Sequence, residues 1–453
     1  MKKILILTYY YKHKNAMASV RAIKLAKYFS KQGYEVSVLT SSQIDTWTKK
    51  YLTPIKDENI HEMYAPQIKR WTIIRHYLDY RKKRGEARQN SIQNSIQNSI
   101  QYDNNHSIQS VYVQSECLKR KFVSYLKWQF YFNLAKQEDI CMFKGMKKLF
   151  RKEKLSKYDT VIATYPTYGA FLMGIWLKKN GLCKQLIADF RDPLFNPGFR
   201  SRKKEANYDL RCLKKILNNS DRVVCVSEGI ADGIRQNVPE FQKPINIITN
   251  GYDVDDVFLN NTDVNYDENK LHFVYTGTLY HGKRCVDMLA SVLEELISEE
   301  KISINDFTFE YAGPDFEELI NQLKEYDLET TAINHGHVMR ETSIAMQKKA
   351  DALLLLTWNE KKYQGVVPGK LFEYMATGDI PIIALVTGDV INSEVSKIIR
   401  DSKSGCVCEE ASPRDRLILK EYIIRLFNNE LQYQSEVDKY NYENICKEYI
   451  KLM

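Results

Sequence analysis

The sequence predicts an α/β protein built from two doubly wound domains in tandem, and three observations predict it. Short apolar runs of strand length alternate with stretches of helical periodicity along most of the chain. The alternation stops near Asn250 and Gly251 and the acidic stretch Asp253–Glu268, then starts afresh. Formal charge changes sign at the same place: residues 1–250 carry 45 Lys and Arg against 21 Asp and Glu, a sum of +24, while residues 251–453 sum to −15.

The first domain opens with a strand at Ile4–Leu7, a helix over Ala16–Lys31 with Val20, Ile23, Leu25, Ala26 and Phe29 at helical spacing, and a second strand at Val36–Leu39. Gly33 is placed to stop that helix, and two strands joined by a helix read as a parallel crossover unit. The same alternation resumes with strands at Thr160–Ala163, Gln185–Ala188, Arg222–Val226 and Ile245–Ile248, and helices at Gly169–Lys179 and near 204–218. Between the two stretches, residues 43–157 read as a helical, basic and aromatic insertion with a low-complexity tract, in which the run Ser-Ile-Gln starts at Ser91, Ser95, Ser99 and Ser107. The second domain shows strands at Leu271–Tyr275, Phe307–Tyr311, Ala352–Leu356 and Ile380–Ala384, separated by helical patterns near 284–299, 315–326, 340–350, 369–377 and 389–400. A last pattern, 434–452, reads as a helix that returns across the hinge.

Composition excludes several classes. With 44% hydrophobic and 27% charged residues the chain is neither disordered nor fibrous. Nine cysteines, odd in number and without a C-x-x-C pair, are no disulfide or zinc framework and fit a reducing compartment; Cys406 and Cys408 alternate as packing residues of a strand. The apolar start meets Tyr9–Lys14 too early for a signal peptide, and Val161–Leu177 is broken by Thr164, Pro166, Thr167 and Gly169, so no spanning segment is expected. The basic half suits nucleic acid, an anionic leaflet or a diphosphate-bearing substrate, or is a set of solvated lysine faces. Its patches Arg81–Arg84, Lys119–Lys121 and Lys147–Lys157 lie among Trp71, Tyr77, Tyr80, Tyr125, Trp128, Phe130, Tyr131 and Phe132, a mixture that favours an interfacial surface.

No G-x-G-x-x-G follows the first strand, and no P-loop, G-x-S-x-G or H-E-x-x-H run occurs, so nicotinamide, P-loop, serine-hydrolase and zincin chemistry are not expected. His335 and His337 read as a turn leaving a strand. The stretch Tyr275–Arg284 (YTGTLYHGKR) follows a strand and opens a helix: Gly277 lets the backbone approach a ligand, and Lys283 and Arg284 bring charge beside it. The stretch Gly365–Gly378 (GVVPGKLFEYMATG) is the more informative. Pro368 and Gly369 start a helix whose positive end disfavours Lys370 unless an anion is present, and Glu373, one turn on, is placed to accept from a vicinal diol. A diphosphate at the helix tip with a ribose one turn down describes a nucleotide.

At this point the sequence resembles the retaining GT-B glycosyltransferases of the family-4-like group, in particular those that build bacterial surface polysaccharides such as capsule, O-antigen and exopolysaccharide. The resemblance is carried by ASVR from Ala18, LAKYF from Leu25, GYEV from Gly33, ADFRDP from Ala188, VCVSEG from Val224, TNGYD from Thr249, YTGT from Tyr275, YAGP from Tyr311, GHV from Gly336 and PGKLFEYM from Pro368, in order over about 350 residues. It implies an N-terminal acceptor-binding domain over 1–250, a C-terminal nucleotide-sugar-binding domain over 251–433, and a helix over 434–453 packing back on the first domain. Glu373 matches the glutamate that holds the ribose hydroxyls. Lys283 or Arg284 matches the basic residue that neutralises the departing diphosphate, and His337, Val338 and Met339 match the loop that contacts the base. Ser19 and Arg21 fall in the first loop, facing the donor phosphates, and Arg191 and Asp192 fall near the acceptor. The family's first glutamate would stand at Gly365 and is absent.

The chemistry implied is displacement of a nucleoside diphosphate from a sugar C1 by a hydroxyl of a glycan or polyprenyl-diphosphate-linked acceptor, with no protein nucleophile, cofactor or metal. The implied setting is the cytoplasm, at or near the inner face of the cell membrane, with no nucleic-acid partner. Two other readings stand beside it: a nucleotide-sugar 2-epimerase of the same architecture, whose acid and base side chains are not found, and a non-catalytic basic binding protein.

Overall fold

The computed structural model describes residues 1–11, 17–41, 59–66, 129, 132–133, 136–165, 167–193, 203–256, 264–280, 282–361, 364–378, 380–431 and 433–453. The tract 91–110, the patches 81–84 and 119–121, and the aromatics Trp71, Tyr77, Tyr80, Tyr125, Trp128, Phe130 and Tyr131 lie outside these residues.

The first half forms strands β1 (Lys3–Thr8), β2 (Glu35–Ser41), β3 (Ile60–Ala65), β4 (Tyr158–Thr164), β5 (Cys183–Phe190), β6 (Arg222–Cys225) and β7 (Ile245–Ile247). Helices α1 (Met17–Lys31), α2 (136–152), α3 (Tyr168–Lys179), α4 (Lys203–Asn219) and α5 (Glu228–Asn237) run between them. The strands make one parallel sheet in the order β3-β2-β1-β4-β5-β6-β7. β1 lies at its centre, covered on both faces, which is why Ile4, Leu5, Ile6 and Leu7 form an unbroken apolar run rather than an alternation. α1 ends at Gly33, where φ is +82° and the Tyr34 N–H reaches back to the Phe29 carbonyl at 3.1 Å.

The second half forms β8 (Leu271–Thr276), α6 (Asp287–Ser298), β9 (Phe307–Ala312), α7 (Phe316–Lys324), β10 (Ala332–Gly336), α8 (Arg340–Lys348), β11 (Ala352–Trp358), α9 (Gly369–Met375), β12 (Ile382–Thr387), α10 (Glu394–Ser402), β13 (Gly405–Glu409) and α11 (Pro413–Phe427). Its parallel sheet runs β10-β9-β8-β11-β12-β13. Both sheets therefore reverse direction beside their first strand, between β1 and β4 and between β8 and β11. In open α/β sheets ligands bind outside the carboxyl ends of the strands at this reversal.

The last helix, α12 (Tyr442–Lys451), buries Tyr442, Ile445, Cys446 and Tyr449 in one cluster with Ala22, Leu25, Ala26 and Phe29 of α1. The segment that joins the halves is clamped to α1. The fully buried Asp253 carboxylate accepts from Lys24 at 2.8 Å, Lys27 at 2.5 Å and Tyr28 at 2.9 Å. Burial opposes ionisation there, but the two ammonium groups hold its pKa well below the usual carboxylate range.

Several boundaries differ from the sequence reading. The insertion is not wholly helical: β3 lies within it as the edge strand of the first sheet, its alternation masked by His61, Glu62 and Tyr64 on the open side. The expected strand over 380–384 is shifted to Ile382–Thr387, and the helix over 389–400 starts instead at Glu394, after Ser393 caps it through the Ser396 N–H. Strands β10 and β13 close the two edges of the second sheet, and in β10 exposed and half-exposed residues weaken the apolar signal. Among the described residues no helix is long and apolar enough to cross a membrane.

Candidate functional site

A cleft of about 630 Å³ opens between the two sheets. From the C-terminal half it is lined by Tyr280, Lys283 and Arg284 after β8, Trp358 at the end of β11, and the segment Gly365–Gly369 that leads into α9. From the N-terminal half come Arg191 and Asp192 after β5, Val226 and Ile230 after β6, and Asn250 in the joining segment. All of these sit at the carboxyl ends of strands, on both sides of the two reversal points.

Three cations gather on the C-terminal side. Arg284 donates through Nη1 to the Thr278 carbonyl at 3.1 Å and to Tyr275 Oη at 3.3 Å, and its guanidinium lies 4.5 Å from the centre of the Tyr280 ring. Lys283, further out, is held by Glu360 at 3.0 Å. Lys370 reaches under the β8 turn to Thr276 Oγ1 at 3.4 Å. It has room because residue 277 is glycine: a Cβ there would stand 2.7 Å from Lys370 Cε. Burial lowers the Lys370 ammonium below its usual range; Glu373 opposes this, and Arg284 and Arg340 add to it. A half-buried ammonium that feels two guanidinium groups is a site that an anion would relieve.

Glu373, one turn along α9 and mostly buried, is held by the neighbouring helix α8. Gln347 Nε2 donates to its Oε1 at 2.9 Å, and Arg340 Nη2 stands 3.5 Å from its Oε2. Arg340 also faces Asp256 at 3.4 Å, and Asp256 is paired with Lys24 of α1, so the glutamate is linked to the first domain through the joining segment. His337, Val338 and Met339 form the turn between β10 and α8, immediately before Arg340 and outside the residues that line the cleft. His337 is exposed, Val338 packs on the core, and Met339 is the extended N-cap of α8.

The N-terminal side corrects one expectation. Ser19 and Arg21 are not in a loop facing a donor: α1 begins at Met17, and both side chains are about 1% exposed. Arg21 forms a two-pronged pair with Asp189, 3.1 Å at each oxygen, and donates to the carbonyls of Ile248 at 2.8 Å and Thr249 at 2.6 Å and to Tyr449 Oη at 2.8 Å. Its five N–H groups are spent on tying α1, β5, the joining segment and α12 together. Arg191 and Asp192, by contrast, do reach the cleft. Burial, reinforced by Arg21, lowers the pKa of Arg191, and burial raises that of Asp192 against the opposing pull of Arg191.

The cleft is closed at one end by direct contact between the halves. Glu394, first residue of α10, accepts from the backbone N–H groups of Gly229 at 2.6 Å and Glu228 at 2.8 Å at the start of α5. Beside it Gly365, at φ +78°, lies against Gly229 so closely that an added Cβ would stand 2.7 Å from the Gly229 Cα. The acidic side chain expected from the resemblance at position 365 has no room in this arrangement. Arg340, Gln347, Asp256 and Glu394 were not singled out in the sequence, because each meets its partner across a gap of 26 to 166 positions.

The fold is shared with solved structures over nearly the whole chain. Sucrose-phosphate synthase from Thermosynechococcus elongatus superposes with a TM-score of 0.59 at 12% identity, covering 100% of this chain and 98% of that chain. Residues 116–256 match the family described as Glycosyltransferase Family 4. The chain has the GT-B fold of these structures, and its Glycosyltransferase Family 4 match lies in the first half of that fold. Two further structures share the fold. The E. coli trehalose-6-phosphate protein bound with UDP-2-fluoro glucose has a TM-score of 0.56 at 10% identity, covering 99% of this chain and 98% of that chain. The lipopolysaccharide outer core galactosyltransferase WaaB, in its apo form, has a TM-score of 0.50 at 15% identity, covering 99% and 98%. No curated protein sequence matches the chain.

Proposed function

We propose that the protein is a glycosyltransferase that moves a sugar from a nucleoside-diphosphate donor to a glycan or polyprenyl-diphosphate-linked glycan during synthesis of a bacterial surface polysaccharide, with retention at the anomeric carbon. The observation that carries the reading is the convergence of Lys283, Arg284 and the half-buried Lys370 at the reversal point of the second sheet, with Glu373 one turn further along the same helix as Lys370. In this reading the diphosphate meets Gly277, Lys283, Arg284, Gly369 and Lys370, the ribose meets Glu373, and the base lies by the backbone of His337, Val338 and Met339. The UDP-2-fluoro glucose held by the E. coli neighbour supports a nucleotide-sugar donor in this fold.

Negative charge grows on the leaving diphosphate as the C1–O bond breaks, and preorganised cations lower the barrier by stabilising that charge. The acceptor hydroxyl is held from the other side of the cleft, where Arg191 and Asp192 face it. A donor phosphate oxygen takes its proton on the same face, which gives retention without a protein nucleophile; the reading assigns no step to a resident metal. The contact between Glu394 and α5 holds the cleft shut against water. The acceptor's lipid places the enzyme on the cytoplasmic face of a membrane, where the basic first domain meets anionic headgroups.

Thermal denaturation with UDP, GDP, ADP and dTDP tests the donor site. One of the four is expected to raise the melting temperature of the wild type by about 5 °C at a hundredfold excess over its dissociation constant, and to leave Glu373→Ala unmoved. No shift with any of them overturns the donor site proposed.

A further inference from the structure

We infer that Gln347 is a positioning residue that aims the Glu373 carboxylate at the donor ribose; the inference rests on the ribose reading of Glu373. Gln347 is fully buried on α8, yet it is an amide where the neighbouring Ile344, Ala345 and Met346 are apolar. Its Nε2 lies within hydrogen-bond distance of three acceptors: Glu373 Oε1 at 2.9 Å, Thr276 Oγ1 at 3.1 Å and Ser343 Oγ at 3.1 Å. An amide nitrogen has two hydrogens, so the charged oxygen takes one of them and the two hydroxyls compete for the other.

The opposite end of the same amide makes the case for function. Gln347 Oε1 is buried and has no hydrogen-bond partner. An unmet buried carbonyl is a cost to the fold that a leucine or methionine at this position would avoid. The amide cannot be turned over to relieve it, because the carboxylate of Glu373 needs a donor and only the nitrogen end supplies one. The cost is therefore tied to one task, holding Glu373.

The arrangement also joins the two parts of the nucleotide site. Thr276 Oγ1, which Gln347 contacts, is the hydroxyl that Lys370 reaches at 3.4 Å. Arg340 faces the other oxygen of Glu373 at 3.5 Å, too long for a firm bond, so Gln347 sets the carboxylate plane and leaves Oε2 to turn toward a ligand. A diol binding at Oε2 then meets an acceptor that is already oriented, and the freezing of the Glu373 side chain is not a cost of binding.

The test compares affinities by titration calorimetry for pyrophosphate, for UDP, GDP and ADP, and for their 2′-deoxy forms. The wild type is expected to prefer the ribonucleoside diphosphate over its 2′-deoxy form, and Glu373→Ala to lose that preference. Gln347→Met is expected to lose it as well, with the ribo form weakened about tenfold and pyrophosphate binding unchanged. Gln347→Asn, which keeps the amide but not its reach, is expected to behave the same way and serves if the methionine variant does not fold. If Glu373→Ala keeps the preference, the ribose reading falls and this inference with it. If Glu373→Ala loses the preference while Gln347→Met or Gln347→Asn keeps it, or if pyrophosphate weakens in step with the nucleotides, the inference alone is overturned.

Discussion

His272 and His335 close on opposite oxygens of Glu310, a carboxylate only 2% exposed. His272 Nε2 faces the Asp267 carbonyl at 2.9 Å and so must carry a hydrogen, while its Nδ1 lies 3.1 Å from Glu310 Oε1 and 2.8 Å from Thr308 Oγ1. Both nitrogens thus face acceptors, and the doubly protonated ring fits best. Burial pulls the basicity of His272 down, but Glu310 and the Asp267 carbonyl outweigh it and raise it above the usual histidine value. A histidine raised in the fold stabilises it below the unfolded value of about 6.5, and that stabilisation is lost as pH rises through the folded value. The melting temperature of the wild type is therefore expected to exceed that of His272→Gln by more at about pH 6 than at about pH 8.5; equal differences at the two pH values would refute the charged-ring assignment. In the sequence His335 and His337 read only as a turn, because the three partners sit on β8, β9 and β10 and meet through sheet order. Lys370 and Glu373 were legible for the opposite reason: they share one helix, so their spacing alone places them. Arg21 was misplaced because the groups that draw it inward, Asp189, the Ile248 and Thr249 carbonyls and Tyr449, lie far along the chain and meet it only in the fold.

At the scale of elements, the joint between α5 and the segment before α9 decides how far the halves approach. Gly229 and Gly365 let two backbones touch, and Glu394 fixes them by capping α5 from the opposite domain. Burial raises the Glu394 carboxyl above its usual acidity range, and the two N–H groups it accepts from act against that rise. Gly365→Ala would impose both a left-handed strain of about 1 kcal/mol on a non-glycine residue and a clash at 2.7 Å, so closure fails while each domain stays folded. The expected outcome is an unchanged nucleotide affinity with turnover down by about ten- to a hundredfold, since small misplacements of reacting groups carry losses of that order. Turnover within about twofold of wild type would show that the contact is dispensable. Such joints escape sequence reading because a glycine facing another domain looks like a glycine in any turn. The central strands did not escape: β1, β4, β8 and β11 are covered on both faces, and their apolar runs announce them. The edge strands β3 and β10 carry His, Glu and Asn toward the open side and were read as parts of an insertion and a turn.

Over the whole molecule, charge is divided as the fold is divided, +24 on the first 250 residues and −15 on the rest. An even scatter of lysines would leave the first domain with a diffuse field, but α2 concentrates it. The helix is tied to the domain where Tyr9 Oη donates to Glu138 at 2.6 Å and Asp139 accepts from the Gly169 N–H at 2.9 Å, and it continues with Lys144, Lys147, Lys148, Arg151 and Lys152. Lys147 and Arg151 stand 4.9 and 5.5 Å from the Trp176 ring of α3, and Lys178 and Lys179 follow on the same helix. Cations around a partly exposed indole are the composition of a membrane interface, where each charge near an anionic leaflet contributes about 1 kcal/mol. Co-sedimentation with vesicles of phosphatidylcholine, with and without about 30% phosphatidylglycerol, measures this directly. Binding is expected only to the anionic vesicles, to fall steeply between about 0.05 and 0.5 M salt as the Debye length shortens, and to drop about tenfold or more when Lys147, Lys148 and Arg151 are replaced together by glutamine. The donor-induced thermal shift should survive that triple change, because none of the three touches the cleft. Equal binding to neutral and anionic vesicles, or none to either at low salt, would mean that the basic half serves the solvent and that the acceptor arrives without a membrane.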